Sequence, residues 1–436
     1  MRDLIRQKIV DSLAMPMPSF TRRDVCVPAV PGKAFAVIGM RRSGKTTLLW
    51  QVIADHLAQG VPREGLLYFN LEDERLFGLT AADLYLVVEE YYRLYPQWRD
   101  KRQALFLLDE VQAIPGWEAF ARRVLDTEHV QLYLSGSSAR LLSREVATSM
   151  RGRALEVRID PFSFREYLRH LGREPETAPD RLPKAGRTQL ESDLRDYLVG
   201  GGFPEAVGLG VRVRHELLRS HVDVAVLRDV IERYRVSQPL ALTWMVRHLL
   251  SSPAGLFSIH KFYGDLRAQG LAVAKDTLHA YLGYLQDAFL IRTVAVASDS
   301  ERRRLVNPRK AYPIDPGLIP VYDRSGRANT GHALETCVLL ELQRRGADVA
   351  YVRTGSGREV DFLARYPGGQ QTLLQVCADI CEPGVQERET LALAEASREF
   401  PRATQQLVLL DVPPRFAVPQ QIQVQAASAW LLEEGQ

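Results

Sequence analysis

The sequence predicts an α/β protein: a parallel sheet flanked by helices, then a helical segment, a three-helix module with short strands, and a second, smaller α/β domain. Three observations predict this. Short apolar runs at 34–38, 104–108 and 130–134 alternate with helical patterns, as a parallel sheet with crossover helices requires. A glycine-rich turn joins the first run directly to a helix. Residues 332–377 read as one helix followed by three strands.

Composition limits the alternatives. The chain has 436 residues, 46% hydrophobic and 25% charged, with a formal net charge of +3. That length suits two to four domains. No run of about 18 apolar residues is present, so no spanning helix is expected. Residues 1–20 carry Arg2, Asp3, Arg6, Lys8 and Asp11 and no apolar signal core. Cys26, Cys337, Cys377 and Cys381 are too few and too scattered for a disulfide framework, which points to a reducing, cytoplasmic setting. Cys377 and Cys381 lack further soft ligands nearby and read as reduced thiols. Charge is uneven: 35 basic against 32 acidic residues over 1–235, 10 against 6 over 236–320, and 11 against 15 over 321–436. The middle excess lies in Arg302, Arg303, Arg304, Arg309 and Lys310, the first place to look for a nucleic-acid contact.

The first strand, Ala34–Ile38, runs into Gly39-Met40-Arg41-Arg42-Ser43-Gly44-Lys45-Thr46, and Thr47 onward continues as an apolar helix. This is the phosphate-binding pattern G-x-x-x-x-G-K-[ST] in its strand–loop–helix setting. Backbone N–H groups and the helix N-terminus would cradle phosphates, Lys45 would reach the β- and γ-phosphates, and Thr46 would hold Mg²⁺. ATP and Mg²⁺ are therefore the expected cofactors. The second apolar run ends in Asp109-Glu110. Asp109 suits a water-mediated Mg²⁺ contact and Glu110 suits polarising the attacking water. After the third run, Ser135 and Ser137 are candidates to sense the γ-phosphate or hold the water, against simple capping of a following helix. Arg151 and Arg153 could offset transition-state charge, in cis or from a neighbouring subunit, so self-association is open.

These residues, with Leu71-Glu72-Asp73, Leu108-Asp109-Glu110-Val111-Gln112, Pro115-Gly116-Trp117-Glu118, Pro161-Phe162-Ser163-Phe164 and Gly200-Gly201-Gly202-Phe203-Pro204, resemble the archaeal and bacterial AAA+-type P-loop ATPases of the AAA_14 and DUF4143 type. The resemblance covers nearly the whole chain. It implies an ATPase core over 1–195, a helical lid over 196–235, arginines at 151 and 153 near the nucleotide, and a C-terminal nuclease-like domain. It also implies that the Gly200–Pro204 turn lies near the base or sugar; a plain interdomain turn is the other reading.

Residues 236–320 give three helical patterns, a strand at 289–294, a basic turn and Lys310–Ile314. This order fits a winged helix-turn-helix, with Lys275, Thr277 and His279 facing a DNA groove and Arg302, Arg303, Arg304 and Lys310 on phosphate. Residues 321–436 resemble the restriction-endonuclease-like fold, with Glu335, Asp361 and Gln375 at the acid positions. Cys377 stands where that pattern has lysine, so the hydrolytic site reads as degenerate. The expected function is an ATP-hydrolysing switch or motor coupled to DNA, at forks or branched DNA in repair or defence. A slow signalling ATPase with protein partners and an ATP-coupled nuclease are the alternatives.

Overall fold

The computed structural model describes all residues except 29, 100, 137–149, 151, 324–328, 382–383, 414–415, 417 and 434–436, and the side chains of 305 and 306. The chain packs as two units, residues 1–160 with 287–289, and residues 161–286 with 290–436. Among the described residues no helix is long and apolar enough to cross a membrane.

The first unit is built on five strands: β1 (Ala34–Ile38), β2 (Leu66–Asn70), β3 (Ala104–Asp109), β4 (Val130–Gly136) and β5 (Ala154–Arg158). They pair in the order β2-β3-β4-β1-β5, every pair parallel. Strands buried on both faces read as unbroken apolar runs, which is why β1 and β3 lack alternation. The helix Lys45–Ala58 buries Leu48, Leu49 and Ile53 against Phe35, Val37, Leu105 and Leu107. On another part of the sheet, Tyr91 of the helix Tyr85–Leu94 meets Phe106 edge-on at 4.9 Å. The N-terminal helix Arg2–Ala14 is tied in by Arg2 and Arg6, both paired with the fully buried Glu90 at 3.0 Å.

In the second unit, the helices Phe164–His170, Lys184–Gly200 and Val211–Val224 come first, the last continuing as a π-helix over Ala225–Glu232. Next come the helices Pro239–Ser251, Ile259–Ala268 and Lys275–Asp287, with β6 (Leu256–Phe257), β7 (Ile291–Val294) and β8 (Arg309–Pro313). These strands form an antiparallel sheet in the order β6-β8-β7. The run expected as a basic turn is instead a short helix, Glu301–Val306. Ser300 caps it by accepting the Arg303 N–H at 3.4 Å, and Glu301 pairs with Arg304 across one turn at 3.1 Å.

The helix Thr330–Arg344 leads into β9 (Asp348–Arg353), β10 (Glu359–Arg365) and β11 (Gln371–Cys377), which pair antiparallel. The helix Val385–Glu399 then crosses to β12 (Thr404–Leu409), parallel to β11, and β13 (Ile422–Ala426) follows parallel to β12. A parallel neighbour cannot be reached by a tight turn, so a long crossover connection is needed, which the helix Val385–Glu399 supplies between β11 and β12. Phe362, Leu374, Val408 and Trp430 are fully or almost fully buried in the core of this region.

Candidate functional site: a phosphate loop, an acid pair and a carboxylate cluster around Lys310

The phosphate loop leaves β1 at Gly39 and ends where the helix Lys45–Ala58 begins. A Cβ at Gly39 would stand 2.0 Å from the Ile159 carbonyl oxygen, so only glycine lets the loop pass β5. Gly44 has φ +102°, a conformation side chains avoid, and a Cβ there would also meet the Arg23 guanidinium at 2.9 Å. Met40, Ser43 and Lys45 are buried, Arg41, Gly44 and Thr47 are partly covered, and Arg42 and Thr46 are exposed. The Lys45 ammonium donates to the carbonyls of Met40 at 3.1 Å and Gly39 at 3.3 Å. The Ser43 hydroxyl donates to the Met40 carbonyl at 2.8 Å.

Arg23 belongs to no motif and is not singled out by sequence alone. It is 5% exposed, and its guanidinium donates to the carbonyl of Ser43 at 2.7 Å and of Asp160 at 2.6 Å. Its backbone is held by Gln51, which accepts the Arg23 N–H at 2.7 Å and donates to its carbonyl at 3.1 Å. Arg23 thus fixes the back of the phosphate loop to the end of β5.

Asp109 closes β3 beside this loop. The Thr46 and Tyr68 hydroxyls each donate to Asp109 Oδ2 at 2.8 Å, and the Ser135 hydroxyl donates to Oδ1. Ser135 also accepts the Glu110 N–H at 3.0 Å, which ties the tip of β4 to the acid pair. Burial and the neighbouring carboxylate push the Tyr68 phenol far up, so it remains a donor. Glu110 turns out of the strand in a left-handed conformation, φ 54°, and the Gln112 amide donates to its carboxylate. Burial raises the Glu110 pKa, opposed by the positive charge of Lys45. A threonine hydroxyl and a carboxylate in contact form the hard oxygen pair that Mg²⁺ prefers, so Thr46 and Asp109 fit as its protein ligands.

Of the remaining candidates in this unit, Ser137 and Arg151 lie outside the described residues. Arg153 does not reach the loop. Ala154 pairs with Ala34 at the start of β1, whereas the loop leaves β1 after Ile38. At ~3.3 Å per residue the two ends of the strand are roughly 13 Å apart. The Arg153 guanidinium is ion-paired with Asp126 at that far end, so the expectation of a role in cis is corrected.

In the second unit, Lys275 and His279 are exposed and Thr277 is half-buried on one helix. Lys275 contacts His260 Nδ1 at 2.9 Å and lies over the Tyr263 ring. Arg302, Arg303 and Arg304 are exposed. Lys310 departs from expectation: it is 3% exposed and does not face solvent phosphate. Its ammonium pairs with Glu335 at 2.9 Å, Glu359 at 2.8 Å and Asp361 at 3.0 Å. The Tyr312 hydroxyl, two residues along β8, donates to Glu335 at 2.6 Å. Burial, reinforced by Asp361, pushes the Glu335 carboxyl up, against the pull of the Lys310 ammonium. The three carboxylates drive the Lys310 ammonium far up against its burial.

Gln375 is committed here as well: its Oε1 accepts the Asp361 N–H at 3.2 Å and its Nε2 donates to Glu389 at 2.5 Å. Cys377 is buried next to it, and burial pushes its thiol up to about 11. Glu335, Glu359, Asp361, Gln375 and Glu389 line a cavity of about 690 Å³. The Gly200–Pro204 turn packs inside this unit: the Gly202 N–H donates to the buried Asp315 at 2.7 Å, and a Cβ at Gly202 would stand 2.2 Å from the Phe162 carbonyl.

A family model described as an AAA domain matches residues 31–168, and a domain of unknown function, DUF8612, matches residues 191–325. The resemblance read from the sequence implies the DUF4143 type instead, placed at the C-terminus. The uncharacterized protein MJ1544 of Methanocaldococcus jannaschii is 30% identical over 403 residues, 91% of this chain and 86% of that protein. An uncharacterized protein of Haemophilus influenzae is 30% identical over 331 residues, 76% of this chain and 78% of its own. Among solved structures, the Walker-type ATPase PABY2304 of Pyrococcus abyssi aligns with TM-score 0.41 and 15% identity, over 74% of this chain and 95% of its own. Aeropyrum pernix ORC1, solved in complex with DNA, aligns with TM-score 0.28 and 14% identity, over 72% and 87%. Scores that low carry no argument about activity. The loop and acid pair lie inside the matched AAA domain, and the chain spans most of a 30%-identical relative; it belongs to the AAA+-type P-loop ATPase family that includes MJ1544.

Proposed function

We propose that this protein is a Mg²⁺-dependent ATPase that couples its nucleotide state to DNA contact, in the cytoplasm. The observation that carries the ATPase reading is the joining of Lys45, Thr46, Asp109 and Glu110 at one end of the parallel sheet, with Asp109 bonded directly to Thr46. The loop amides and the N-terminus of the helix Lys45–Ala58 bind the phosphates. Lys45 exchanges its loop carbonyls for phosphate oxygens, so its charge is spent on the ligand. Mg²⁺ held by Thr46 and Asp109 would neutralise charge on the phosphates. Glu110, held by Gln112 and raised by burial, accepts the proton of the attacking water.

The DNA half of the proposal is supported by element order and charge. Helix, short strand, two helices and two strands in one antiparallel sheet is the arrangement of a winged helix-turn-helix. Lys275 and His279 are exposed on its third helix, and Arg302–Arg304 on the helix that replaces the wing. The helix-then-three-strands order at 330–377, with Glu335 and Asp361 at its heart, supports a restriction-endonuclease-like core. The discriminating experiment is ATP turnover of wild type, Lys45→Ala and Glu110→Gln, with and without duplex, single-stranded and forked DNA. Glu110→Gln should keep ATP binding and lose about 10²–10⁴ in turnover. Lys45→Ala should abolish turnover, and unchanged turnover in either variant overturns the ATPase reading. Stimulation by one DNA form supports coupling; turnover indifferent to every DNA points to a switch that recruits protein partners.

A further inference from the structure

Lys310 brings a charge from β8 into a site whose other members lie on different elements. Glu335 belongs to the helix Thr330–Arg344, and Glu359 and Asp361 share one face of β10. The ammonium stands 2.8–3.0 Å from one oxygen of each. The lysine side chain is 4% exposed, and those of Glu335 and Asp361 are each 11% exposed. An ammonium is a compact charge with three donors, and here it meets three acceptors. The polar groups around it are committed: the Gln375 side chain bonds Asp361 and Glu389, the Tyr312 hydroxyl donates to Glu335, and the Val376 N–H donates to Asp361.

We propose that the Lys310 ammonium is the resident cation of this cluster and takes the place a divalent metal ion would occupy, so that the cavity binds no such ion while Lys310 is present. The argument is one of charge and distance. Two buried carboxylates, Glu335 and Asp361, and the partly exposed Glu359 beside them need a counter-charge close by, because removing such charges from water without one is costly. Oxygen ligands approach Mg²⁺ or Mn²⁺ to about 2.1 Å, so each carboxylate oxygen would move in by under about 1 Å to grip a metal once the lysine charge is gone. The cluster then serves to join β8 to β10 and the helix Thr330–Arg344 instead of hydrolysing phosphodiesters. This inference concerns the second unit alone and stands independently of the ATPase reading.

The test is a Mn²⁺ titration, followed by electron paramagnetic resonance, of the full chain without nucleotide. Wild type, Asp361→Asn, Lys310→Gln and the Lys310→Gln/Asp361→Asn double variant are compared, so that any Mn²⁺ held elsewhere is common to all four. Wild type and Asp361→Asn should bind equally. Lys310→Gln should bind one further equivalent, lost again in the double variant. A Mn²⁺ removed from wild type by Asp361→Asn overturns the proposal, as does a folded Lys310→Gln that gains none. Thermal melts settle the case of a variant that is unfolded without metal: recovery of a cooperative melt on adding Mn²⁺ supports the proposal, and no recovery at any Mn²⁺ concentration overturns it.

Discussion

Arg23→Met removes the charge that pins the phosphate loop while keeping most of the side-chain volume. Two hydrogen bonds from a charged donor are lost, to the Ser43 and Asp160 carbonyls at 2.7 and 2.6 Å. At about 1.5 kcal/mol each, the loss is about 3 kcal/mol. The part that falls on stability lowers the melting point by about 2–4 °C per kcal/mol for a unit of this size, so by at most about 6–12 °C. The rest appears in binding, because a loop that must order around ATP charges its ordering to affinity. A Kd weaker by up to about 100-fold would account for nearly all of the lost energy. The assay is a thermal melt alongside a titration with a fluorescent ATP analogue. Arg23→Lys can make one of the two bonds and should recover part of each effect. A Met variant that melts and binds as wild type does, or a lysine that restores both in full, would refute the two-pronged clamp.

Two further outcomes are expected. Burial pushes the Asp315 carboxyl up to about 7, against the pull of its bonds from the Gly202 and Gly317 N–H groups. The folded state therefore holds a proton between about pH 4 and 7 that the unfolded chain has released, so this group's contribution to stability is greatest at acid pH and is lost as pH rises to 7. Between pH 5 and 8 this group contributes a loss of about 2–3 kcal/mol, read by urea denaturation. Asp315→Asn should be less stable at pH 5 and lose that slope, while a slope of unchanged size would rule Asp315 out as its source. For DNA, replacing Arg302, Arg303 and Arg304 with Gln should lower the slope of log K against log salt by up to about 2.7, at about 0.9 per phosphate contact. An unaltered slope would remove this helix from any DNA interface.

The phosphate loop and the acid pair were legible in the sequence because their chemistry is local. Gly39, Gly44, Lys45 and Thr46 lie within eight residues, and Asp109-Glu110 follows directly from an apolar strand. Backbone geometry then fixes the relation among neighbours, and β1 spans the same five residues the apolar run marks. The helix at Glu301–Val306 was hidden because a run of arginines reads as a solvated turn; Ser300 and Glu301 were the capping signal that decided otherwise.

What only the tertiary structure decided is which distant charges meet. Lys310 reaches Glu335 and Asp361 across 25 and 51 residues, and Arg23 reaches Ser43 and Asp160 across 20 and 137. Arg153 is carried to the wrong end of the sheet by the register of β5 on β1. A basic residue looks the same in sequence whether it faces water, a phosphate or three carboxylates. Strand register and the cost of burying an unpaired charge determine which of these it meets. The sequence by itself therefore determined the nucleotide loop and its acids, and the packing of separated strands decided what Arg23, Arg153 and Lys310 do.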